Sequence, residues 1–530
     1  MNSRSRVQTP RGAVAGIEER GVLAFRGIPY ARSTAAAGRF RAPEPVAPWA
    51  DTLDASRFGR ASPQATGSSR PLRRFSAVPE SGVGEDCLNL NVWTPATDGG
   101  RRPVLVWLHG GAFSHGSGSF HLYSGGRLAR RGDVVVITVN YRLGVFGGLH
   151  LESFAGGGEV DSNLALRDQV AALEWVRENV EAFGGDPGNV TLFGQSAGAM
   201  SAATLMASPP PAGLFHRVIL QSGGATNVHS PQLARRLAEI YLEGLGLDPD
   251  RADLVESLRR MDARELLAAQ IRMGTGHGVA LGQLMWQPTL DRELVSEIPQ
   301  ASFRAGRAAA LPLLIGSNLD EWKMFTATDK KRRTLDEDTL RQYLVRTFEA
   351  GPGGNEGGGE IARARAETAF ALYRVSAQGT PRSPGDIWAS LQTDRVFHHP
   401  AIELAEAHAG RGAPTWFYRF DWVPPLAPRR VGACHSLELP FVFGTLRTPW
   451  LRPLFGASSR ALVLSDRIQD AWLSFARNGD PNTATDTPWP RYEKEEGRAT
   501  LLGGRAESER AMDPALRQFW KEVGGSERGF

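Results

Sequence analysis

Val190-Thr191-Leu192-Phe193-Gly194-Gln195-Ser196-Ala197-Gly198, followed by the alanine-rich Ala199–Met206, is the stretch on which the fold turns. The first four residues read as a short buried strand and the last eight as an apolar helix. Only a sharp turn fits between them. A β-carbon at Gly194 or Gly198 would collide where strand and helix nearly touch. G-x-S-x-G therefore reads as a strand–turn–helix elbow that lifts Ser196 above the end of a sheet. The helix start behind it favours negative charge developing at the serine. The five-residue pattern alone is weak, because a glycine-rich chain meets it by chance; the strand before it and the helix after it give it weight.

Working outward, apolar runs of the same kind recur at Val104–Leu108, Val134–Val139, Val218–Leu220, Leu311–Ile315 and Trp416–Phe420. Short runs without alternation suit strands covered on both faces of a parallel sheet. Helical patterns lie between them. The clearest is Leu166–Phe183, with Val170, Leu173, Trp175, Val176 and Val180 near one stripe. The alternation predicts an α/β architecture, a doubly wound, mostly parallel sheet flanked by helices. Such sheets place chemistry beyond the carboxyl ends of their strands. The segments of about 228–290 and 325–390 carry helical patterns without strong strand signals and read as insertions over the sheet. The residues singled out below run from 109 to 435, so a single unit spanning 1–530 is expected. Gly351–Gly359 reads as a mobile surface loop.

Composition excludes several classes of partner. Of 530 residues, 41% are hydrophobic and 22% charged, the balance of an ordinary globular protein. The net charge of +4 is small for this length, and the basic residues are interspersed among 57 acids. Neither nucleic acid nor an anionic membrane surface is expected as a partner. Cys87 and Cys434 are the two cysteines, which suits a reducing compartment. The N-terminal residues show positive charge with no apolar run behind it, and no stretch approaches the roughly 20 apolar residues of a membrane span. A cytoplasmic location is expected; oligomeric state is not readable.

A serine nucleophile needs donors for the oxygen that becomes negative, a base, and a group that orients the base. The run Val104–Leu108 leads into His109-Gly110-Gly111-Ala112-Phe113. Small residues there let backbone N–H groups approach a carbonyl, and a loop of this kind acts together with the residue after the nucleophile. Gly111, Ala112 and Ala197 are the expected oxyanion donors. Eleven histidines compete as base. His109 and His115 flank the donor loop. His398 and His399 precede Pro400, and no carboxylate or cysteine is read beside them at metal-ligand spacing. Chain order in this kind of fold runs serine, acid, histidine. The strand run Leu311–Ile315 ends in Gly316-Ser317-Asn318-Leu319-Asp320-Glu321, which offers two candidate acids. Asp394 lies outside that turn and reads as a buried structural group.

With these residues in view, the chain resembles the type B carboxylesterases, the group that includes bacterial p-nitrobenzyl esterases and the cholinesterases. The likeness spans nearly the whole chain. It rests on Phe25-Arg26-Gly27-Ile28-Pro29-Tyr30-Ala31, Glu85-Asp86-Cys87-Leu88-Asn89-Leu90-Asn91-Val92, Asn140-Tyr141-Arg142-Leu143-Gly144, Phe183-Gly184-Gly185-Asp186-Pro187, the Ser196 elbow and Asn478-Gly479-Asp480-Pro481. The resemblance implies an α/β-hydrolase fold and hydrolysis of small-molecule esters without cofactor or metal. Gly432-Ala433-Cys434-His435-Ser436-Leu437-Glu438-Leu439-Pro440-Phe441-Val442-Phe443-Gly444 matches the family's catalytic-histidine loop, which implies His435 as base. The match also implies Glu321 as its acid, with Asp320 the rival. A non-catalytic binding protein, an acyltransferase and a lactonase or dedicated biosynthetic hydrolase are the rival readings.

Two departures from the family pattern matter. Secreted relatives pair the cysteine matching Cys87 with an earlier one, and Ser62 stands at that earlier position. Gln195 stands where many relatives carry Glu. The segment between Ser62 and Cys87 contains Arg70, Arg73 and Arg74 and only Phe75 as an aromatic. Together these favour uncharged esters over cationic ones.

Overall fold

The computed structural model describes residues 4–66, 78–154, 160–209, 213–276, 284–349, 358–376, 379–425, 427–449, 451–456, 458–483, 488–503 and 508–524. Arg70, Arg73, Arg74, Phe75 and residues 351–357 of the glycine-rich stretch lie outside them.

Among the described residues, thirteen strands join into one sheet. In chain order they are β1 (Arg4–Thr9), β2 (Gly12–Glu19), β3 (Val22–Pro29), β4 (Leu53–Asp54), β5 (Asn89–Thr94), β6 (Arg102–Leu108), β7 (Val135–Val139), β8 (Gly185–Gln195), β9 (Arg217–Gln221), β10 (Leu313–Asn318), β11 (Thr415–Phe420), β12 (Arg498–Leu502) and β13 (Ser508–Arg510). Their spatial order is β1-β2-β3-β5-β7-β6-β8-β9-β10-β11-β12-β13, with β4 beside β2. From β7 to β12 every neighbouring pair is parallel. β1, β2, β3, β5 and β13 pair antiparallel with their neighbours on this path, and β4 lies parallel to β2. The six runs read from the sequence are the contiguous centre of this sheet. Five are longer or shifted by a few residues and β7 is one residue shorter; the run at 311–315 becomes a strand only from Leu313.

Pleating sorts the side chains of β6. Val104, Val106 and Leu108 enter one core with Ile137, Leu192, Leu220 and the helices Leu164–Asn179 and Ala197–Ala207. Leu105 and Trp107 enter the other, with Phe193, Ile219, Tyr418 and the long helix Ser459–Asn478. Alternate residues of one continuous apolar run thus serve two layers, as sheets covered on both faces require. Each large side chain buried this way contributes about 2–3 kcal/mol. The helix expected over 166–183 ends at Asn179, and its last turn tightens to 3-10 geometry before Gly184 at φ 76°.

Residues 228–290 contain the helices Pro231–Gly244, Leu254–Arg260 and Ala263–Gly276. They pack around a third core that includes Phe113, Ala197, Met200 and Phe397. Residues 325–390 contain Lys330–Arg333, Glu337–Glu349 and Gly358–Tyr373 and run into the helix Pro384–Thr393. No helix among the described residues is long and apolar enough to cross a membrane.

Candidate active site

β8 ends at Gln195, and the helix Ala197–Ala207 starts two residues later. Ser196 between them has φ 54° and ψ −126°. A non-glycine residue in such a region costs of order 1–3 kcal/mol and persists only where its surroundings impose it. Here the Ser196 N–H donates to the Gln221 carbonyl on β9 at 2.9 Å. The flanking glycines are sterically compelled. A β-carbon on Gly198 would lie 2.0 Å from the Leu108 carbonyl oxygen, and one on Gly194 would lie 2.5 Å from the Gly198 carbonyl carbon.

The donor loop follows β6 and meets the elbow directly. A β-carbon on Gly110 would come within 2.9 Å of Ser196 Cβ. Gly111, Ala112 and Phe113 all have positive φ, at 126°, 53° and 57°. The Gly111 carbonyl folds the loop back by accepting from the N–H groups of Ser114 and His115, both at 3.0 Å. Among the described residues, the N–H groups of Gly111 and Ala112 have no backbone acceptor, and Ala197 is the first residue of its helix. A helix start leaves such groups free for another acceptor.

β10 and the loop after β11 bring an acid to a histidine. His435 Nδ1 lies 2.6 Å from Glu321 Oε2, and the other carboxylate oxygen accepts from the Asn318 N–H at 2.7 Å. Glu321 is 0% exposed and His435 5%. Asp320 points elsewhere: it accepts from the Ala433 N–H at 3.0 Å and pairs with Lys323 at 2.9 Å. The Phe397 and Phe325 rings lie 4.7 and 5.4 Å from the His435 ring. His435 Nε2 faces the side-chain amide nitrogen of Gln195 at 3.0 Å. Among the described residues Ser196 Oγ makes no hydrogen bond. Catalytic hydrogen bonds are often completed only when substrate is present.

The rival histidines have other employment. His109 stacks on Tyr141 at 4.4 Å and donates from Nδ1 to the Gly110 carbonyl. Burial depresses it to about 4, and burial lowers His115 as well. His398 and His399, read without a carboxylate at metal-ligand spacing, each face a single carboxylate four residues away. Asp394 lies 2.8 Å from His398 and Glu403 3.7 Å from His399. Residues 394–398 form a π-helical turn that runs directly into the helix His399–Ala409, so spacings of four fall on one face. No cluster of three potential metal ligands occurs among the described residues. Cys87 and Cys434 are both free, buried thiols.

Sequence reading missed a second, deeper layer. Asn318 Nδ2 donates to the Cys434 carbonyl at 2.7 Å and to Glu438 Oε2 at 2.6 Å. Glu438 Oε1 accepts from Gln221 at 3.1 Å, and Gln221 in turn accepts from Trp472 Nε1 at 3.1 Å. Burial, reinforced by the neighbouring Glu321, pushes the Glu438 carboxyl up to about 7. A charge set between Leu437 and Leu439 was a visible signal for a buried carboxyl; the identity of its partners was not.

The chain's likeness to known proteins agrees with this geometry. Residues 3–520 match the Carboxylesterase family. The para-nitrobenzyl esterase of Bacillus subtilis (strain 168) is 39% identical over 497 residues, 94% of each chain. The phenmedipham hydrolase of Pseudarthrobacter oxydans is 34% identical over 97% of this chain and 98% of its own. A solved PNB esterase structure superposes with a TM-score of 0.82 at 38% identity, covering 98% of this chain and all of its own. The mostly parallel mixed sheet is therefore that of an α/β hydrolase, and the chain, a carboxylic ester hydrolase, belongs to the carboxylesterase family.

Proposed function

We propose that Ser196 is the nucleophile, His435 the general base and acid, and Glu321 the carboxylate that orients His435, within one catalytic unit spanning 1–530 and carrying insertions at about 228–290 and 325–390. Ser196 Oγ attacks the ester carbonyl while His435 Nε2 takes its proton. The N–H groups of Gly111, Ala112 and Ala197 receive the oxyanion. His435 returns the proton to the leaving alcohol, and water then releases the acyl group by the same route. The reading rests above all on the Glu321–His435 contact, whose far nitrogen is directed at the elbow residue next to Ser196. Two buried free thiols suit a reducing, cytoplasmic setting.

Uncharged esters are the proposed substrates. Apolar rings of Phe325 and Phe397 flank His435, Gln195 is neutral, and Lys330–Arg333 is a run of four cations on a short helix three residues beyond Ala327. Ser196→Ala is the test. The variant should fold normally, melt as the parent does and lose turnover of p-nitrophenyl butyrate; near-parental activity would remove the reading.

A further inference from the structure

His398 is a buried histidine that the ester chemistry does not use. It is 7% exposed. Its Nδ1 lies 2.8 Å from Asp394 Oδ1 and its Nε2 lies 2.8 Å from the Asn318 carbonyl oxygen. The neighbours fix where the protons are. Trp520 Nε1 can only donate, and it sits 2.8 Å from the Tyr373 hydroxyl oxygen. The hydroxyl therefore directs its own proton to Asp394 Oδ2 at 2.6 Å. Asp394 Oδ1 faces His398 Nδ1, and as an ordinary carboxylate Asp394 would accept on both oxygens. A neutral imidazole has one N–H and could serve one of its two acceptors; an imidazolium serves both.

Charge and burial agree with this. Burial alone would depress the histidine, but the Asp394 hydrogen bond and charge outweigh it and hold His398 above the ordinary histidine range. Glu321 pulls the same way. The other charged groups around the turn are engaged at a remove. His399 faces Glu403, with Lys521 and Arg304 acting on it. Arg382 donates to the Tyr373 carbonyl, and Arg395 to Gln392. Glu438 stands on the far side of Asn318.

We propose that His398 is a positioning residue for the Glu321–His435 couple. As an imidazolium clamped between Asp394 and the Asn318 carbonyl, it fixes the end of β10 and, through the Asn318 N–H, the place of Glu321 against His435. The geometry routes this through one residue. The Asn318 N–H holds Glu321, its side chain holds both Glu438 and the carbonyl before His435, and its own carbonyl is held by His398.

The proposal rests on the triad reading above, and the first test separates the two. Histidine-¹⁵N-labelled protein is observed at pH 8, with the His398 signals assigned by contacts to Phe397 and Tyr373 and by their loss in His398→Gln. Both ring nitrogens should be protonated; a neutral tautomer overturns the proposal. This readout needs no esterase activity, so it stands even if Ser196→Ala leaves turnover intact. The second test is the pH profile of kcat/KM on p-nitrophenyl butyrate, for His398→Gln. Removing a nearby positive charge lets the His435 imidazolium persist to higher pH, so the acid limb should move up by about half a unit. At the optimum kcat should fall about tenfold with KM within about twofold, the pattern of lost positioning rather than lost binding. Asp394→Glu, which keeps the carboxylate, should keep the parental limb. Folded variants with a lowered Tm and an unmoved limb would reduce His398 to a packing group and overturn the proposal.

Discussion

Two buried histidine–carboxylate couples lie on either side of Asn318, and they differ in what the second nitrogen meets. His435 is bound to Glu321 through Nδ1, and its Nε2 faces the amide nitrogen of Gln195. An amide N–H can only donate, so that nitrogen presents a lone pair toward the elbow. His398 is bound to Asp394 through Nδ1, and its Nε2 faces a carbonyl. That nitrogen must carry a proton. The same side chain on the same kind of carboxylate is thus able to accept a proton in one place and is held protonated in the other. The lesson is that a buried imidazole's role follows from the group opposite its second nitrogen more than from its carboxylate partner.

The comparison breaks most visibly at the base. His435→Gln, like Ser196→Ala, should lower kcat by roughly 10⁴–10⁶-fold, because members of such a constellation act as a unit. The same change at His398 is expected to cost about tenfold, as argued above for a positioning residue. Comparable losses at both positions, measured on active-site-titrated protein, would erase the distinction. Next in size is the choice of acid. Glu321→Gln should cost about 10³–10⁴-fold in kcat, since the amide no longer favours the correct tautomer or the imidazolium. Asp320→Asn should change kcat only a few-fold, because Asp320 faces Lys323 and the Ala433 N–H. The reverse ranking would reassign the acid.

Much of this arrangement is legible in the sequence, and what is not has a physical reason. The six central strands were visible because burial on both faces leaves continuous apolar runs such as Val104–Leu108. Strands at the margins carry no such signature. Arg4–Thr9 is RSRVQT, and β13 is three residues long. The elbow was legible because backbone sterics demand two glycines at fixed offsets, as the contacts of Gly194 and Gly198 bear out. Asn318, Glu438 and the His398 clamp were not legible. Their contacts join residues such as Gln221 and Glu438, or Tyr373 and Trp520, that are far apart in the chain. No periodicity encodes such pairs. The partner of His398 is a single carboxylate four residues earlier, a spacing too common in helices to stand out.

Smaller effects should appear in stability. The Glu438 carboxyl is raised to about 7 in the folded chain, against about 4.3 for an unperturbed glutamate. Between those values the folded state binds more protons, so this group's contribution falls as pH rises. Glu438→Gln should therefore melt above the parent at pH 8 and lose that advantage by pH 5. His398 works in the same direction from a positive charge. Its folded value is raised, so its contribution is complete below about 6.5 and is lost as pH climbs through the folded value. The Tm deficit of His398→Gln should be largest near pH 5–6 and shrink in alkali. A deficit that grows with pH would contradict a clamped imidazolium.

The smallest expected effect sharpens the comparison at its most exposed point, the group opposite His435 Nε2. Gln195 is 2% exposed and lies against both Gly110 and His435. A carboxylate there would attract a cationic substrate; a carboxamide does not. Phe325 and Phe397 still offer ring faces near His435, and such faces can hold a quaternary ammonium. Discrimination against choline-type esters therefore falls to charge. One charge at about 4 Å is worth about 4 kcal/mol at an effective dielectric of ~20 before solvation offsets much of it. A net preference of about tenfold in kcat/KM for a neutral butyrate ester over butyrylthiocholine is accordingly expected, since each 1.4 kcal/mol is a factor of ten. Gln195→Glu should narrow that gap. The same carboxylate would also favour the protonated base, so its acid limb should move up, and the ester comparison must be made well above that limb. Equal or better use of the thiocholine ester by the parent enzyme would sink the idea. A Gln195→Glu variant with a shifted limb but an unchanged ester ratio would mean that residue 195 acts on His435 alone and never meets the alcohol of the substrate.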